Sequence, residues 1–234
     1  MDPRTSSRLD ALTTAHLTDA CLRAGVPVRC APAGTRAVEP GSRVAGRVLP
    51  ARHAGSVDVF LEALAGALPG DVLVVDNGGR LDEACVGDLV VQEAASAGLA
   101  GLVLWGLHRD TADIRAIGLP VFSLGALPTG PLELRDRPDD ALDRAGSGAW
   151  SVGTSDVVVA DDDGAVFLPA DRLPELLTLA ERIRDTERRQ ADRIRSGESL
   201  RDQLRMTEFV ERRNSEPGLT FRAHLREIGG AVEE

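Results

Sequence analysis

The chain has 234 residues, 43% hydrophobic and 27% charged, a composition typical of a globular α/β domain with one sizeable core. A formal net charge of −10 without a basic surface block argues against nucleic-acid binding, and without an apolar leader or spanning run we expect a cytoplasmic protein with no membrane association. The sequence contains no lysine, which excludes mechanisms that need a lysine amine, such as a Schiff base or a Walker loop.

Cysteine and histidine spacing gives no sign of a thiol or imidazole metal centre. The three cysteines are odd in number and lack a Cys-x-x-Cys pair, so neither a disulfide framework nor a zinc site is predicted. Cys85 is close to the glycine at 87 and is interpreted as a small packed thiol. His16, His53 and His224 have no His-x-His or His-Glu-x-x-His partner, which makes a histidine-based metal site unlikely from the sequence.

The first quarter of the chain is predicted to be a helix followed by loops. Apolar residues recur at helical spacing over 6–25, and Gly25 ends the pattern. Prolines and glycines crowd residues 26–54, where RVAGRVLPARH is the one run that is typical of a strand. A helix over 56–68 follows and is broken by the Pro-Gly pair at 69.

The middle of the chain predicts a parallel sheet. Strands and helices alternate in the order strand 71–76, helix 87–98, strand 101–106, helix 111–118 and strand 119–125. This βαβαβ order is the pattern of parallel strands joined by right-handed helical crossovers. The chain is therefore predicted to be α/β.

The last third is less regular. Residues 132–155 are polar and rich in proline and glycine, and they predict no clear element. DVVVADDDGAVFLP, residues 156–169, predicts two strands joined by an acidic turn that ends at Gly164; the acidic run lacks the other ligands of a calcium loop. From 171 to 212 an apolar stripe predicts helix, with a break at a Ser-Gly pair.

A candidate site brackets the first crossover. A parallel βαβ unit returns to the end of the sheet where it began, so Asp88 and the Arg109-Asp110 pair are expected together at the carboxyl edge. Gly87 lets a ligand approach the backbone, and the first N–H groups through Leu89 can receive a carboxylate. Arg109 can bind the same anion, and the two aspartates offer the oxygen ligands that Mg²⁺ prefers.

A purely structural interpretation fits the same spacing. Asp88 could serve only as an acid in the first turn of a helix, and Arg109 and Asp110 could form only a surface ion pair. The periodicity of the sequence favours neither interpretation, so both stay open at this point.

Several segments resemble the RraA-like family, which includes class II 4-hydroxy-4-methyl-2-oxoglutarate aldolases. The matching segments are PGDVLVVDNGG at 69–79, GDLVVQEAASAGLAGLVLWGLHRD at 87–110 and GLPVFSLG at 118–125. The most specific feature is the spacing of twenty residues between Asp88 and the Arg109-Asp110 pair. The resemblance extends over roughly residues 9–200.

The resemblance implies a fold and an assembly. The fold is a layered ββα sandwich of the swivelling-domain type with a central parallel βαβαβ portion and a long C-terminal helix. Residues 1–195 would form the catalytic domain and 196–234 a helical extension that contacts another subunit. A homotrimer or homohexamer is implied, with active sites at subunit interfaces.

The resemblance also implies a chemistry. It is that of a metal-dependent lyase that cleaves a 4-hydroxy-2-oxo acid to pyruvate and a carbonyl product and decarboxylates oxaloacetate. By this analogy Asp110 would hold Mg²⁺ or Mn²⁺, and Asp88 would order the metal's waters. Arg109 would bind the pyruvyl part and stabilise its enolate, while the amides of Gly87 to Leu89 would take the carboxylate.

Two alternatives stay open. Founding members of the family are non-catalytic regulators that bind and inhibit an RNA-degradation ribonuclease, and they typically lack the second acid of the Arg-Asp pair, whereas Asp110 is present here. A specialised biosynthetic lyase acting on another 2-oxo acid is the second alternative.

This sequence also departs from the family pattern near the proposed site. Trp105 and His108 replace smaller residues, and each would alter the mouth of the site. We interpret Trp105 as a buried strand residue and His108 as a solvent-facing loop residue, with a proton shuttle as the alternative for His108. Glu187 or Glu198 could complete a neighbouring subunit's site.

Overall fold

The computed structural model describes residues 1–229, through most of which strands and helices alternate. The α-helices are α1 (Pro3–Asp10), α2 (Thr14–Arg23), α3 (Asp58–Ala65), α4 (Asp88–Ser96), α5 (Thr111–Ile117), α6 (Leu173–Arg195), α7 (Leu200–Gln203), α8 (Met206–Ser215) and α9 (Phe221–Ile228). The strands are β1 (Arg29–Cys30), β2 (Arg36–Ala37), β3 (Val44–Arg52), β4 (Val72–Asp76), β5 (Ala84–Val86), β6 (Gly101–Trp105), β7 (Leu107–His108), β8 (Val121–Ser123), β9 (Arg144–Ser147), β10 (Trp150–Gly153), β11 (Asp156–Asp161) and β12 (Gly164–Pro169).

A mixed eight-stranded sheet organises the molecule, in the order β1-β12-β11-β3-β4-β6-β8-β2. Its centre is parallel: Leu49 on β3 is in register with Leu73 on β4, which is in register with Leu102 on β6. The predicted βαβαβ portion is therefore confirmed, and β3 extends it by one parallel strand. Helices cover one face of the parallel strands, and residues of β9 to β12 pack on the other, so both faces are buried and the strands are nearly continuous apolar runs.

The antiparallel half of the sheet and the parallel half carry separate helical layers. On the parallel half, α3, α4 and α5 bury side chains such as Phe60 and Val91 against Leu104. On the antiparallel half, α1, α2 and α6 pack over β11 and β12, with Leu17 and Leu176 fully buried. The long C-terminal helix implied by the family resemblance is α6, and the α/β layered class is confirmed.

The predicted single helix over 6–25 is wrong, because the segment forms two helices, α1 and α2. Thr13 separates them by capping α2: its Oγ1 accepts from the His16 N–H, and the His16 ring accepts from the Thr13 N–H. An N-cap residue has an extended backbone while its side chain accepts from the first N–H groups of the helix it caps. A preceding helix cannot continue through such a residue, so α1 ends before Thr13. The predicted end is confirmed, since Gly25 follows α2 with a φ of 63°.

Residues 132–155, for which no element was predicted, contain the β9–β10 hairpin. Ser147 pairs with Trp150, and Gly148 makes the turn with a φ of 61°, a value that favours glycine. The predicted acidic turn before Gly164 joins β11 to β12, and the predicted break in the long helix lies at Ser196, the C-cap of α6.

The helices that follow α6 form a small packed unit. Phe209 on α8 contacts Phe221 on α9 edge to face at 5.0 Å, and the buried His224 donates from Nε2 to the carbonyl of Leu204. The helical character implied for the extension from residue 196 agrees with these helices, its contact with another subunit stays a prediction, and residues 230–234 lie outside the described range. Within residues 1–229, no helix is both long and apolar enough to cross a membrane.

Candidate active site

A pocket of about 330 Å³ opens at the carboxyl edge of the parallel strands. Its walls come from His53 after β3, from Cys85 on β5, from the start of α4, from Arg109 after β7 and from Pro131. Open α/β sheets keep ligands at this edge. The pocket therefore lies where the sequence predicted a site.

The first turn of α4 forms the floor of the pocket. Gly87 is the N-cap and has no side chain, so no side chain accepts from the first N–H groups of the helix. These groups belong to residues that line the pocket. Asp88 is the first helical residue and is half-buried, and Leu89 is 79% exposed. An uncapped helix N-terminus attracts an anion through these N–H groups and the helix dipole.

The side chains of Arg109 and Asp110 meet at Gly87. A methyl group placed on Gly87 would lie 2.5 Å from Asp110 Oδ2 and 3.2 Å from Arg109 Nε. Both side chains therefore lie over the backbone of Gly87, at the start of α4. The structure brings Gly87, Asp88, Arg109 and Asp110 together, as the spacing predicted.

Asp110 has an unusual backbone conformation. It is the N-cap of α5, yet its side chain makes no capping hydrogen bond, and its φ of 60° lies in the left-handed region. Aspartate is a favoured capping residue, but here its carboxylate is not used for capping and stays available. The left-handed backbone costs conformational energy, because residues other than glycine rarely adopt it. Among residues 1–229, the ion pair of Asp110 is the 3.4 Å contact of Oδ2 with Arg109 Nε.

Arg109 is held through its backbone while its guanidinium stays accessible. Its N–H donates to Val86 O, which ties β7 to β5, and its side chain is 48% exposed. Nη1 lies 2.8 Å from the position that a Cβ on Gly130 would take, so the guanidinium contacts the 130 segment at the pocket wall. This arrangement leaves guanidinium donors for a bound carboxylate or keto oxygen.

The donor set suits a hard divalent ion held mainly by water and substrate. Over residues 1–229, no three His, Cys, Asp or Glu side chains converge as a complete metal cage. Mg²⁺ is usually held by one or two carboxylates together with waters and substrate oxygens. Asp110, whose carboxylate makes no capping hydrogen bond, and Asp88 at the start of α4 would be such ligands, so the residues fit the implied Mg²⁺ or Mn²⁺.

Cys85 lines the pocket but does not offer a nucleophile. Burial raises the pKa of its thiol to about 12, and Sγ donates weakly to Leu107 O. A thiol with this pKa is protonated at neutral pH, so the interpretation of Cys85 as a packed thiol agrees with its surroundings.

The two departures, Trp105 and His108, lie outside the pocket wall. The Trp105 ring is packed between Gly79 and Gly146 at the end of β6, so its placement in a strand is confirmed, but the residue is half-buried and not buried as expected. His108 is 4% exposed, so the expectation of a solvent-facing residue is wrong; Ser123 and Thr111 engage its two ring nitrogens. Burial lowers its pKa, and neither nitrogen faces the pocket.

Glu187 and Glu198 are engaged within the chain. Glu187 Oε2 lies 3.1 Å from His16 Nε2, and Glu198 pairs with Arg193 at the end of α6. Neither lines the pocket of its own chain. Their contribution to a neighbouring subunit stays a prediction.

Sequence reasoning missed His53 as a pocket residue. Its ring is buried, stacks on Phe60 at 5.2 Å and bonds through Nδ1 to Asn77. Asn77 is bonded in turn by Arg135, whose partner is the fully buried Glu83. A search for paired histidine motifs could not find this residue, because its partners come from distant segments.

Comparison with known proteins places these features in a family context. A family model described as RraA-like, Aldolase/RraA, matches residues 14–167. A protein of Albidiferax ferrireducens named "Putative 4-hydroxy-4-methyl-2-oxoglutarate aldolase" is 40% identical over 114 residues, which are 49% of this chain and 64% of that protein. Protein DlpA of Legionella pneumophila is 32% identical over 129 residues, 55% of this chain and 21% of its own length. The chain thus spans less than two thirds of these curated relatives.

Solved structures show the same architecture. Streptomyces coelicolor RraAS2, described as an unusual member of the RNase ES inhibitor RraA protein family, has a TM-score of 0.71 at 28% identity and covers 80% of this chain and 96% of its own. A protein from Pseudomonas syringae has a TM-score of 0.74 at 24% identity, covering 86% and 96% respectively, which supports the fold alone.

Proposed function

The chain belongs to the RraA-like family, and from that premise we propose that it is a divalent-metal-dependent carbon–carbon lyase that releases pyruvate. Its substrate is a 4-hydroxy-2-oxo acid of the 4-hydroxy-4-methyl-2-oxoglutarate type, cleaved by a retro-aldol reaction, and it also decarboxylates oxaloacetate. Both reactions leave an electron pair on the carbon next to a keto group, so one enolate-stabilising site serves both.

The observation that carries the proposal is the convergence on Gly87. The carboxylate of Asp110 and the guanidinium of Arg109 both lie against its backbone, at an uncapped helix N-terminus that lines the pocket. An anion site, a cation and a carboxylate ligand within one small volume match a 2-oxo acid chelated to a metal.

Each residue has a defined task in the reaction. The amides from Gly87 to Leu89 bind the substrate carboxylate, and Arg109 donates to the keto oxygen and to the enolate oxygen that forms from it. Asp110 would hold the ion, and Asp88 would accept hydrogen bonds from its waters. When bound, Mg²⁺ or Mn²⁺ supplies Lewis-acid stabilisation of the developing charge.

The proposed assembly is a homotrimer or homohexamer. Large apolar side chains are exposed around the pocket: Leu89 is 79% exposed, Leu134 77% and Leu132 62%. Single chains rarely leave such clusters in water, so a second copy is the expected cover. Light scattering coupled to gel filtration tests this, with a trimer or hexamer mass expected and a monomer contradicting it.

The test of the activity is pyruvate release from each substrate, followed with lactate dehydrogenase and NADH. We expect release from 4-hydroxy-4-methyl-2-oxoglutarate and from oxaloacetate in Mg²⁺ or Mn²⁺, and its loss in EDTA with recovery when metal is restored. Folded, metal-supplemented protein that releases no pyruvate from either substrate would contradict the proposal.

A second candidate function is a non-catalytic regulator of an RNA-degradation ribonuclease. Similarity to the Streptomyces protein described as belonging to an RNase inhibitor family favours it. The Arg109-Asp110 pair favours catalysis instead, because the accessible carboxylate of Asp110 makes no capping hydrogen bond and its ion pair with Arg109 is long, at 3.4 Å. Adding the protein to an RNase E-type endonuclease and measuring RNA cleavage distinguishes the two, since the regulator would slow cleavage without metal-dependent pyruvate release.

A further inference from the structure

His53 lines the same pocket as Arg109. It follows β3, and its backbone N–H donates to Asp76 O, which fixes it against the end of β4. Its ring stacks on Phe60 at an interplanar angle of 8°, so the ring plane is held by packing. His53 is therefore a rigid imidazole rather than a mobile surface side chain.

A chain of hydrogen bonds fixes the proton on the His53 ring. Arg135 Nη2 donates to Asn77 Oδ1 at 3.3 Å, and arginine has no acceptor, so this atom of Asn77 is the oxygen. The same oxygen lies 2.9 Å from His53 Nδ1. Because the oxygen only accepts, Nδ1 carries the proton in the neutral ring, and Nε2 carries a lone pair.

Buried Glu83 anchors this chain. Its carboxylate accepts from Arg135 Nη2 at 2.7 Å and from the Leu132 N–H at 3.1 Å. Burial opposes its ionisation, but these hydrogen bonds and the charges of Arg135 and Arg80 prevail and lower its pKa to about 2. A carboxylate that stays ionised holds Arg135 in place, and Arg135 holds the amide.

The amide orientation carries a cost. With its oxygen shared by His53 and Arg135, Asn77 leaves its buried Nδ2 without a hydrogen-bond partner among the described residues. A buried N–H group without a partner destabilises the fold, because it has lost its hydrogen bonds to water. The reversed amide would set two N–H donors against the Arg135 guanidinium, so the observed orientation, and with it the His53 tautomer, is enforced.

The remaining ring nitrogen is available to a ligand. No described residue hydrogen-bonds to Nε2, and His53 lines the pocket. Burial lowers the pKa of His53, and the positive charge of Arg135 lowers it further. The hydrogen bond to Asn77 and the charges of Glu83 and Asp58 act to raise it, but burial prevails. The ring is therefore neutral at physiological pH, as a proton acceptor must be.

We propose that His53 is the general base of the retro-aldol reaction, an assignment that rests on the lyase function proposed above. Nε2 takes the proton from the C4 hydroxyl, the O–H electron pair becomes the new carbonyl bond, and the C3–C4 bond breaks. The C3–C4 electron pair forms the pyruvate enolate at Arg109. The proton on Nε2 then returns to C3, which gives pyruvate and a neutral imidazole without any further reactant.

Oxaloacetate provides the internal comparison, because it has no C4 hydroxyl proton to remove. Its decarboxylation needs the enolate site but not a base that initiates the reaction. Loss of His53 Nε2 should therefore slow aldol cleavage selectively, whereas damage to the pocket as a whole would slow both reactions.

The variant that tests this is His53→Asn, because an asparagine amide can replace the Nδ1 donor to Asn77 but offers no group at the Nε2 position. We expect the kcat for aldol cleavage to fall by about 100-fold or more, in the range of a lost general base. Oxaloacetate decarboxylation should stay within about threefold of wild type. His16→Asn, a histidine on α2 that lies outside the pocket wall, is the matched control and should leave the ratio of the two activities unchanged.

The outcomes separate the two proposals. If wild type releases pyruvate from neither substrate, the lyase function fails and the assignment falls with it. If wild type acts on both and His53→Asn lowers both rates equally, or neither, the lyase function stands and His53 is not the base. Should the variant melt below assay temperature, nitrogen NMR of wild-type His53 decides: a protonated Nδ1 and bare Nε2 at pH 7 support the assignment, and the opposite tautomer overturns it.

Discussion

Two aspartates at the ends of strands, Asp161 and Asp110, use their oxygens in opposite ways. Asp161 ends β11 and is buried; it accepts from the N–H and hydroxyl of Thr14 and from the N–H of Asp163. Asp110 follows β7 and is exposed, in a left-handed conformation, and its side chain caps nothing. The carboxylate of Asp161 is hydrogen-bonded within the fold, whereas the carboxylate of Asp110 makes no capping hydrogen bond.

The proposed metal ligand differs from the structural acid in its hydrogen bonding. Acidic density alone would favour the run around Asp161, whereas the sequence predicted a turn there and a metal ligand at Asp110. Hydrogen-bond satisfaction agrees with that prediction, because the oxygens of Asp161 already have partners, while Asp110 has, among the described residues, an ion pair with Arg109 at 3.4 Å. Unused hydrogen-bonding capacity in a strained position indicates function better than acidic density does.

The largest expected effect is on activity at Asp110. Asp110→Asn keeps the side-chain shape and suits the left-handed backbone, but it removes the charge. We expect metal-dependent pyruvate release to fall by about 100-fold to 1000-fold, with a change in unfolding free energy below about 0.5 kcal/mol. Steady-state kinetics and urea unfolding measure both. A variant with half of the wild-type activity would remove the distinction between the two aspartates.

Gly87→Ala tests whether contact at Gly87 positions the site. The added methyl group would lie 2.5 Å from Asp110 Oδ2, so the carboxylate and the Arg109 side chain must move. The backbone φ of −126° accepts alanine, so the fold should persist. We expect pyruvate release to fall by about 10-fold to 100-fold at nearly unchanged melting temperature.

Gly66→Ala is the control for Gly87→Ala. Gly66 follows α3 as its C-cap. A methyl group added to Gly66 would have Ala63 O as its nearest neighbour, at an ordinary van der Waals distance of 3.8 Å. Wild-type activity is expected. An equal loss of activity in both variants would show that the effect at Gly87 is not local.

Asp161→Asn should act on stability instead of on catalysis. One oxygen that accepts from Thr14 or Asp163 becomes an N–H₂ group, which leaves donors facing each other in a buried turn. We expect unfolding free energy to fall by about 1–3 kcal/mol, with kcat per folded molecule unchanged. The neighbouring Asp162→Asn, at an exposed position that retains an oxygen for the Gly41 N–H, should change stability by less than about 0.5 kcal/mol. Equal effects on both variants in urea unfolding would contradict this.

The last effect is confined to acid pH and concerns the stability that Glu83 provides. Its folded pKa of about 2 lies below the ordinary value of 4.5, so its contribution is present above about pH 4.5 and is lost as the pH falls toward 2. Glu83→Gln should flatten the decline of stability over that window in urea unfolding at several pH values. An unchanged slope would show that Glu83 titrates alike in both states.

The sequence predicted the part of the site that a single crossover positions. Asp88, Arg109 and Asp110 could be placed together because a parallel βαβ unit returns to one edge, a consequence of topology alone. The parallel centre of the sheet and the turn before Gly164 followed from periodicity and turn residues, whereas the joining of parallel and antiparallel strands in one mixed sheet was not predicted.

The other wall of the pocket could not be predicted in this way. His53, Asn77, Glu83 and Arg135 lie in four separate segments, and the last of them falls in the 132–155 stretch that shows no periodicity. Their contacts depend on how loops cross over the sheet edge, which local patterns do not encode. The break between α1 and α2 was missed because capping by Thr13 outweighed a continuous apolar stripe.

The role of Asp110 is tested most directly by calorimetric titration with oxalate, a dianion that resembles the pyruvate enolate, with and without Mn²⁺. We expect binding to wild type to strengthen by about tenfold or more with Mn²⁺, with no such strengthening in Asp110→Asn, whereas Asp161→Asn keeps it while folded. Binding that is equally tight with and without Mn²⁺, or equally strengthened in Asp110→Asn, would contradict the claim that Asp110 is the carboxylate kept free for the metal.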